Sequence, residues 1–128
     1  ITCRDWSSAV CPSDLFPENV RMLAKGGAKI VFHPQCNHFF KGMAWKLPVH
    51  EALLTARAAE NTLWLVSSNM SHPLNNCRSL VIGPNGLIRD AAVLGQEMLV
   101  WTDADPDLAT HAFLKDDLDD MAKALGEK

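Results

Sequence analysis

Residues 11–32 read CPSDLFPENVRMLAKGGAKIVF, and this stretch predicts a helix followed by a strand. Proline and acidic residues near its start are typical of the first turn of a helix, and the pair Gly26-Gly27 is typical of a helix end. Residues 28–32 are apolar except for Lys29, which favours a strand in a covered sheet. Residues 6–11 end in small apolar residues and predict an earlier strand. The order strand, helix, strand is typical of an α/β layered fold.

The remaining sequence continues this alternation without internal repeats. The elements predicted after residue 32 are, in order, a loop at 33–46, a helix at 48–61, a strand at 62–67, a second loop, a hairpin of 80–82 and 87–88 around Pro84-Asn85-Gly86, a strand at Glu97 to Trp101, and an acidic helical tail at about 104–128. We therefore expect a single α/β domain over residues 1–128.

Composition and charge favour a packed protein that does not bind nucleic acid. The chain has 128 residues, of which 48% are hydrophobic and 21% are charged, an ordinary globular mixture. At this size, folding buries about two-thirds of the surface of the unfolded chain. The net charge is −3 and the twelve Lys and Arg are scattered, so no basic patch exists to bind a phosphate backbone.

The sequence also bears on cellular location. No stretch approaches the ~20 apolar residues of a membrane span, and the first eight residues carry Arg4 and Asp5 where a signal peptide needs an apolar run. We expect no membrane partner and a cytoplasmic location. The chain starts at Ile1 without a methionine, so we expect a processed product or a fragment. The unevenly spaced cysteines suit reduced thiols; they are Cys3, Cys11, Cys36 and Cys77.

Three segments in fixed order resemble the nitrilase superfamily of carbon–nitrogen hydrolases. The segments are Cys11 to Ala28 with its Phe16-Pro17-Glu18; Ala56-Arg-Ala-Ala-Glu-Asn61 followed by Ser68-Asn69; and Ser79 followed by Ile82-Gly-Pro-Asn-Gly86. The resemblance extends from about residue 9 to residue 110. It implies the C-terminal, nucleophile-bearing part of an α-β-β-α sandwich, in which mixed sheets are covered by helices.

The resemblance also implies an activity. Members hydrolyse non-peptide C–N bonds of amides, nitriles or carbamoyl groups, with a cysteine that forms an acyl-enzyme. We accordingly expect a small-molecule amide or nitrile as substrate, and we expect no cofactor. The residues that choose among these substrates lie on loops, so the sequence leaves the substrate open.

Cys11 is the predicted nucleophile. A cysteine between a strand and a helix faces the positive end of the helix dipole, which favours the thiolate. The alternative is that Cys11 is a small buried apolar residue. The resemblance implies that the backbone N–H after the cysteine binds the oxyanion, and Pro12 has none. Cys3-Arg4-Asp5 is the rival position, but it requires eight extra residues before the Phe-Pro-Glu motif.

The superfamily mechanism needs two further groups, a glutamate base and a lysine, which precede the cysteine in full-length members. The ten residues before Cys11 contain neither. We therefore expect this chain to work with a separate N-terminal half or as a homo-oligomer. The competing hypothesis is a catalytically inactive binding or assembly module that keeps the fold.

The resemblance implies supporting residues behind the site. Arg57, Glu60 and Asn61 lie at the end of the predicted second helix, and Asn69 follows the next strand. From spacing alone, Arg57 and Glu60 form a surface ion pair of little value, and Asn69 caps a strand or a loop.

The loop after residue 32 carries candidate pocket residues. His33, His38 and Trp45 are the side chains that we expect to line a substrate entrance. An alternative is a metal site made of His33, Cys36 and His38, with His50 or His72. This spacing matches no familiar zinc signature, so we expect no metal.

Overall fold

The computed structural model describes residues 6–8, 16–36, 45–72, 75 and 77–112. Its elements are β1 (Trp6–Ser8), α1 (Pro17–Lys25), β2 (Ile30–Pro34), α2 (Lys46–Asn61), β3 (Trp64–Ser68), β4 (Leu80–Ile82), β5 (Ile88–Ala91) and a short 3-10 helix (Pro106–Leu108). The predicted α/β class, both predicted helices and the predicted hairpin are confirmed.

The five described strands form one mixed sheet in the spatial order β1-β2-β3-β4-β5. The first three strands are parallel, and β4 and β5 are antiparallel to their neighbours. A helix connects each parallel pair, and right-handed crossovers place both helices on the same face of the sheet. There α1 and α2 pack against each other.

The core lies between the helices and this face of the sheet. Val31, Leu65 and Ile82 stand opposite one another in adjacent strands, so their side chains share a face. Each is at most 1% exposed, and Leu54 of α2 and Val20 of α1 belong to the same cluster. Burial of these large side chains stabilises the attachment of the helices to the sheet.

The other face of the sheet is only partly covered. Phe32, Val66 and Val81 form the corresponding row on this face, and Phe32 is 42% exposed. The chain after residue 100 crosses this face, held where the indole N–H of Trp64 donates to the carbonyl oxygen of Asp105 at 2.7 Å. A groove of about 230 Å³ runs along the row.

Glycine and threonine end the two helices in different ways. After α1, Gly27 has φ 92°, a left-handed conformation that glycine adopts without steric cost, and the N–H of Ala28 closes the turn on the carbonyl of Leu23. After α2, Thr62 occupies the left-handed region with φ 48°. A β-branched side chain there is strained.

Two predicted elements differ from the structure. Residues 97–101 do not form a strand. The backbone N–H of Trp101 donates to the side-chain carboxylate of Asp90 in β5, at 2.9 Å, in place of the backbone carbonyl that a paired strand would offer. The predicted loop starts later than residue 33, since β2 continues through Pro34. In the tail, residues 106–108 form the 3-10 helix, and residues 113–128 lie outside the described residues.

Candidate active site

The carboxyl ends of β1, β2 and β3 meet at one edge of the sheet because these strands are parallel. Cys11 follows the end of β1 by three residues. Sites in sheets of this kind lie at the carboxyl ends of the strands. The predicted nucleophile, Cys11, and the predicted residues Cys3, Pro12 and His38 lie outside the described residues.

His33 lies at this edge, near the end of β2. Its residue partner in the sheet is Ser67 of β3, and its Nδ1 atom is 3.2 Å from the Ser67 hydroxyl oxygen. Both residues are at most 3% exposed. The predicted pocket residue is thus a buried member of a polar pair, on the core-facing side of the sheet.

Gln35 extends this pair into a cluster. Its backbone N–H donates to the carbonyl of Ser68 at 2.9 Å, and its side-chain nitrogen donates to the Ser67 hydroxyl at 2.6 Å and to the sulfur of Cys77 at 3.0 Å. Cys77 is 1% exposed. We call His33, Gln35, Ser67 and Cys77 the edge cluster.

Sequence reasoning missed three members of the edge cluster. Gln35 and Cys77 lie outside regular strands, and their meeting depends on long-range folding. Ser67 did carry a signal, because it lies two residues after the buried Leu65 in β3 and therefore points into the core. A hydroxyl at such a position indicates a buried polar partner.

Asn69, predicted to support the site, lies directly after β3 at the same edge. Its backbone N–H donates to the hydroxyl oxygen of Ser79 at 2.9 Å, and its side-chain nitrogen donates to the carbonyl of Cys77 at 2.8 Å. Asn69 thus connects the end of β3 to the segment before β4. Asn69, Cys77 and Ser79 also line a cavity of about 120 Å³.

An ion pair that the sequence did not reveal ties α2 to the same segment. Arg78 donates to both carboxylate oxygens of Glu51, at 2.8 and 3.1 Å. This two-point geometry fixes orientation better than a single contact does. Because Glu51 lies in the first half of α2, that half of the helix is held beside the edge that carries the cluster.

Arg57, Glu60 and Asn61 lie at the other end of α2. The helix runs antiparallel to the parallel strands, so its last turn lies at the edge opposite to the edge cluster. Arg57 pairs with Glu60 at 3.2 Å, and the Asn61 side chain donates to the carbonyl of Arg57 at 2.9 Å. His111 Nδ1 donates to the Asn61 carbonyl at 3.1 Å. These contacts hold the junction between α2 and β3.

The remaining sequence predictions concern Trp45 and a metal site. Trp45 immediately precedes α2 and is 61% exposed. Within the part of the chain that the structure describes, no three His, Cys, Asp or Glu side chains form a group suited to a metal ion.

No helix within the described ranges combines the length and apolar character needed to traverse a bilayer.

Comparisons with known proteins agree with the motifs. The family model of carbon–nitrogen hydrolases matches residues 5–112. A search of curated proteins found no match. A carbon–nitrogen hydrolase from Helicobacter pylori has 21% sequence identity and a TM-score of 0.74 over 94% of this chain and 49% of that one. A nitrilase-superfamily protein from Saccharomyces cerevisiae has 20% identity and a TM-score of 0.65 over 96% and 42% of the two chains.

An amidase from a Nesterenkonia species has higher sequence identity, 27%, with a TM-score of 0.69 over 94% of this chain and 44% of that one. In that structure acrylamide has added to the active-site cysteine. The chain therefore spans less than half the length of each of these solved structures.

Proposed function

Because the chain belongs to the carbon–nitrogen hydrolase family, we propose that it forms the nucleophile-bearing part of an enzyme that hydrolyses an amide, nitrile or carbamoyl C–N bond. The observation that carries the proposal is the family match over residues 5–112, which includes Cys11 and all three motif segments. The likeness to an amidase at 27% identity supports amides as the first substrates to test.

For an amide, the thiolate of Cys11 attacks the carbonyl carbon and forms a C–S bond. The tetrahedral intermediate then expels the nitrogen, which leaves as an amine after taking up a proton, and a thioester remains. Water attacks this acyl-enzyme, and the carboxylic acid and the free thiol are released. The reaction is a hydrolysis, so no oxidant or reductant is consumed.

The chain spans less than half the length of the solved structures that it resembles, so we propose that residues outside this sequence supply the glutamate base and the lysine of the family mechanism. The partly covered face of the sheet supports this proposal. Phe32, at 42% exposure, lies in a row of apolar side chains on that face. Uncovered apolar rows of this kind are normally buried by association. A second copy of the chain is the alternative partner.

Alkylation by iodoacetamide tests the assignment of the nucleophile. Near neutral pH, limited modification followed by peptide mapping should find Cys11 labelled faster than Cys36 or Cys77, because the thiolate is the reacting species. Cys36 is exposed and provides the reference for an ordinary accessible thiol. Preferential labelling of Cys3 would transfer the assignment to the rival position.

Pro12 favours a second candidate, a catalytically inactive binding or assembly module. A proline after the nucleophile removes one oxyanion donor, and loss of such a donor typically costs about 3–4 kcal/mol of transition-state stabilisation. Equally slow labelling of all four thiols would support the inactive module and contradict the enzyme proposal.

A further inference from the structure

A cavity of about 290 Å³ lies at the edge of the sheet where α2 ends, opposite to the edge cluster. The described residues that line it come from the junction of α2 and β3, the hairpin turn, β5 and the 3-10 helix; they are Thr62, Pro84, Asn85, Arg89 and Leu108. None of them belongs to the edge cluster. The proposed function therefore leaves this cavity without a role.

The hairpin turn forms a fixed wall of the cavity. Gly86 lies so close to α2 that an added Cβ atom would stand 3.0 Å from the Cβ atom of Ala59 and 3.2 Å from the carbonyl oxygen of Thr55. The backbone N–H of Gly83 donates to the carbonyl of Leu87, and that of Gly86 donates to the carbonyl of Gly83, both at 2.9 Å. A wall that is ordered before a ligand arrives favours binding, because less freedom is lost.

The polar side chains of the hairpin offer hydrogen-bond donors to the cavity. The side-chain oxygen of Asn85 accepts from the backbone N–H of Leu87 at 3.2 Å and lies 3.5 Å from a terminal nitrogen of Arg89. Since this oxygen is occupied, the amide nitrogen of Asn85 is the group left for a ligand. The guanidinium of Arg89 is exposed, and within the described ranges it forms no ion pair. A negatively charged acceptor is the matching partner for both groups.

Gly83 makes room for the guanidinium. A Cβ atom at this position would stand 2.7 Å from Nε of Arg89 and 3.3 Å from one of its terminal nitrogens. A carbon atom cannot approach a nitrogen to 2.7 Å without displacing it, so a side chain at residue 83 would move the guanidinium. The placement of the charge thus depends on a residue that has no side chain.

The size and the remaining lining of the cavity indicate a short apolar ligand body. Pro84 is buried, and Leu108 is 52% exposed, which leaves apolar surface that a ligand can cover. Sites for small molecules combine apolar walls with a few polar groups, and their volumes begin at about 300 Å³. A cavity of about 290 Å³ therefore suits a small molecule with one charged end.

We propose that this cavity binds a small carboxylate that carries a short aliphatic chain. The guanidinium of Arg89 and the amide nitrogen of Asn85 hold the carboxylate, and the aliphatic chain lies against Pro84 and Leu108. Arginine suits this role because its planar donors match the two oxygens of a carboxylate. Binding at this edge requires neither Cys11 nor the proposed hydrolysis.

Titration of the purified chain with hexanoate, followed through the backbone amide signals in NMR spectra, tests the proposal. The signals of Asn85, Arg89 and Leu108 should shift and reach saturation. Acetate carries the charge without the aliphatic chain, and 1-hexanol carries the chain without the charge. Each should bind at least about fivefold more weakly than hexanoate, because each lacks one of the two contributions.

Two variants test the placement of the charge. Arg89→Met keeps a side chain of similar girth without the guanidinium and should weaken hexanoate binding about fivefold, the scale of one partly exposed ion pair. Gly83→Ala keeps both binding side chains but displaces the guanidinium, and it should weaken binding by a similar factor. Arg21→Met makes the same chemical change on α1 and should leave the Kd unchanged. The dispersion of the amide signals shows whether each variant is folded.

Saturable shifts at the cavity that need higher hexanoate concentrations in both folded variants would support the proposal. The proposal is overturned if hexanoate causes no saturable shifts, or if the shifts occur only at residues outside the cavity. Equal binding of hexanoate by folded Arg89→Met, or equal binding of 1-hexanol by the wild type, would also overturn it, because the charge would then have no part in recognition.

Discussion

At the scale of single residues, we predict that Pro12 limits the rate of the proposed hydrolysis. Replacement by alanine restores a backbone N–H after Cys11, the position at which the family resemblance implies an oxyanion donor. Removal of one such donor typically lowers kcat by about 10²–10³-fold. Pro12→Ala should therefore raise the rate of amide hydrolysis by up to about 10²-fold when a polypeptide with the family's glutamate and lysine segments is supplied.

The comparison that isolates this effect is the steady-state kcat of the two chains at equal concentration. Cys11→Ser, measured beside each, defines the background. A Pro12→Ala chain that is no faster than the wild type would show that the proline does not limit the reaction.

The second prediction at the scale of single residues concerns zinc binding near Cys36. Protein purified without chelator should contain no stoichiometric zinc by elemental analysis, because the spacing of His33, Cys36 and His38 does not match a structural zinc site, which normally has four well-placed ligands. One zinc ion per chain would contradict the expectation that these residues bind no metal.

Sequence reasoning found some of these residues and missed others for a physical reason. His33 and Asn69 were predicted as site residues because they follow the predicted strands, where site residues usually lie; in the structure His33 lies within β2. Gln35 and Cys77 are 42 positions apart, and only the folded sheet brings them together. Arg57 and Asn61 were correctly placed on a helix, but the direction of that helix puts them at the far edge of the sheet.

At the scale of elements, substitutions at the two helix ends should change the free energy of unfolding in opposite directions. Gly27→Ala places a Cβ atom at φ 92° and should lower the free energy of unfolding by about 1 kcal/mol. Thr62→Gly removes a strained side chain at φ 48° and should raise the free energy of unfolding by about 0.5 kcal/mol. This figure is the relief of strain less the entropic cost of fixing a glycine. Urea unfolding with an unchanged m value measures both, and equal signs would contradict the explanation.

The predicted and observed elements agree best where the local signal is strongest. Pro17 and the pair Gly26-Gly27 mark the bounds of α1, and the turn at Pro84-Asn85-Gly86 marks the hairpin. The strand expected at residues 97–101 is absent. The composition of this segment gives only a strand propensity, whereas a strand forms only when a neighbouring strand is available to pair with it. The carboxylate of Asp90 takes the backbone N–H of Trp101 instead.

At the scale of the whole molecule, the partly covered sheet face predicts association. Either the purified chain should sediment as more than a monomer, or it should bind an added N-terminal partner. Phe32→Lys puts a charge in the exposed apolar row and should shift the chain toward the monomer. Met22→Lys is the matched control, since Met22 is 68% exposed on α1, on the helix side of the sheet.

Sedimentation of the three chains at equal concentration decides which face associates. Dissociation by Met22→Lys and not by Phe32→Lys would place the interface on the helices and contradict the proposed role of the open sheet face.

The proposal that residues outside this sequence supply the family's glutamate and lysine is tested most directly by the rate at which the purified chain hydrolyses a simple amide. The assay is run with and without a polypeptide that carries the family's glutamate and lysine segments, and with Cys11→Ser as the control. We predict negligible activity for the chain alone, activity with the added polypeptide, and none with Cys11→Ser. A stable monomer that hydrolyses the amide unaided, or activity that survives in Cys11→Ser, would contradict the account.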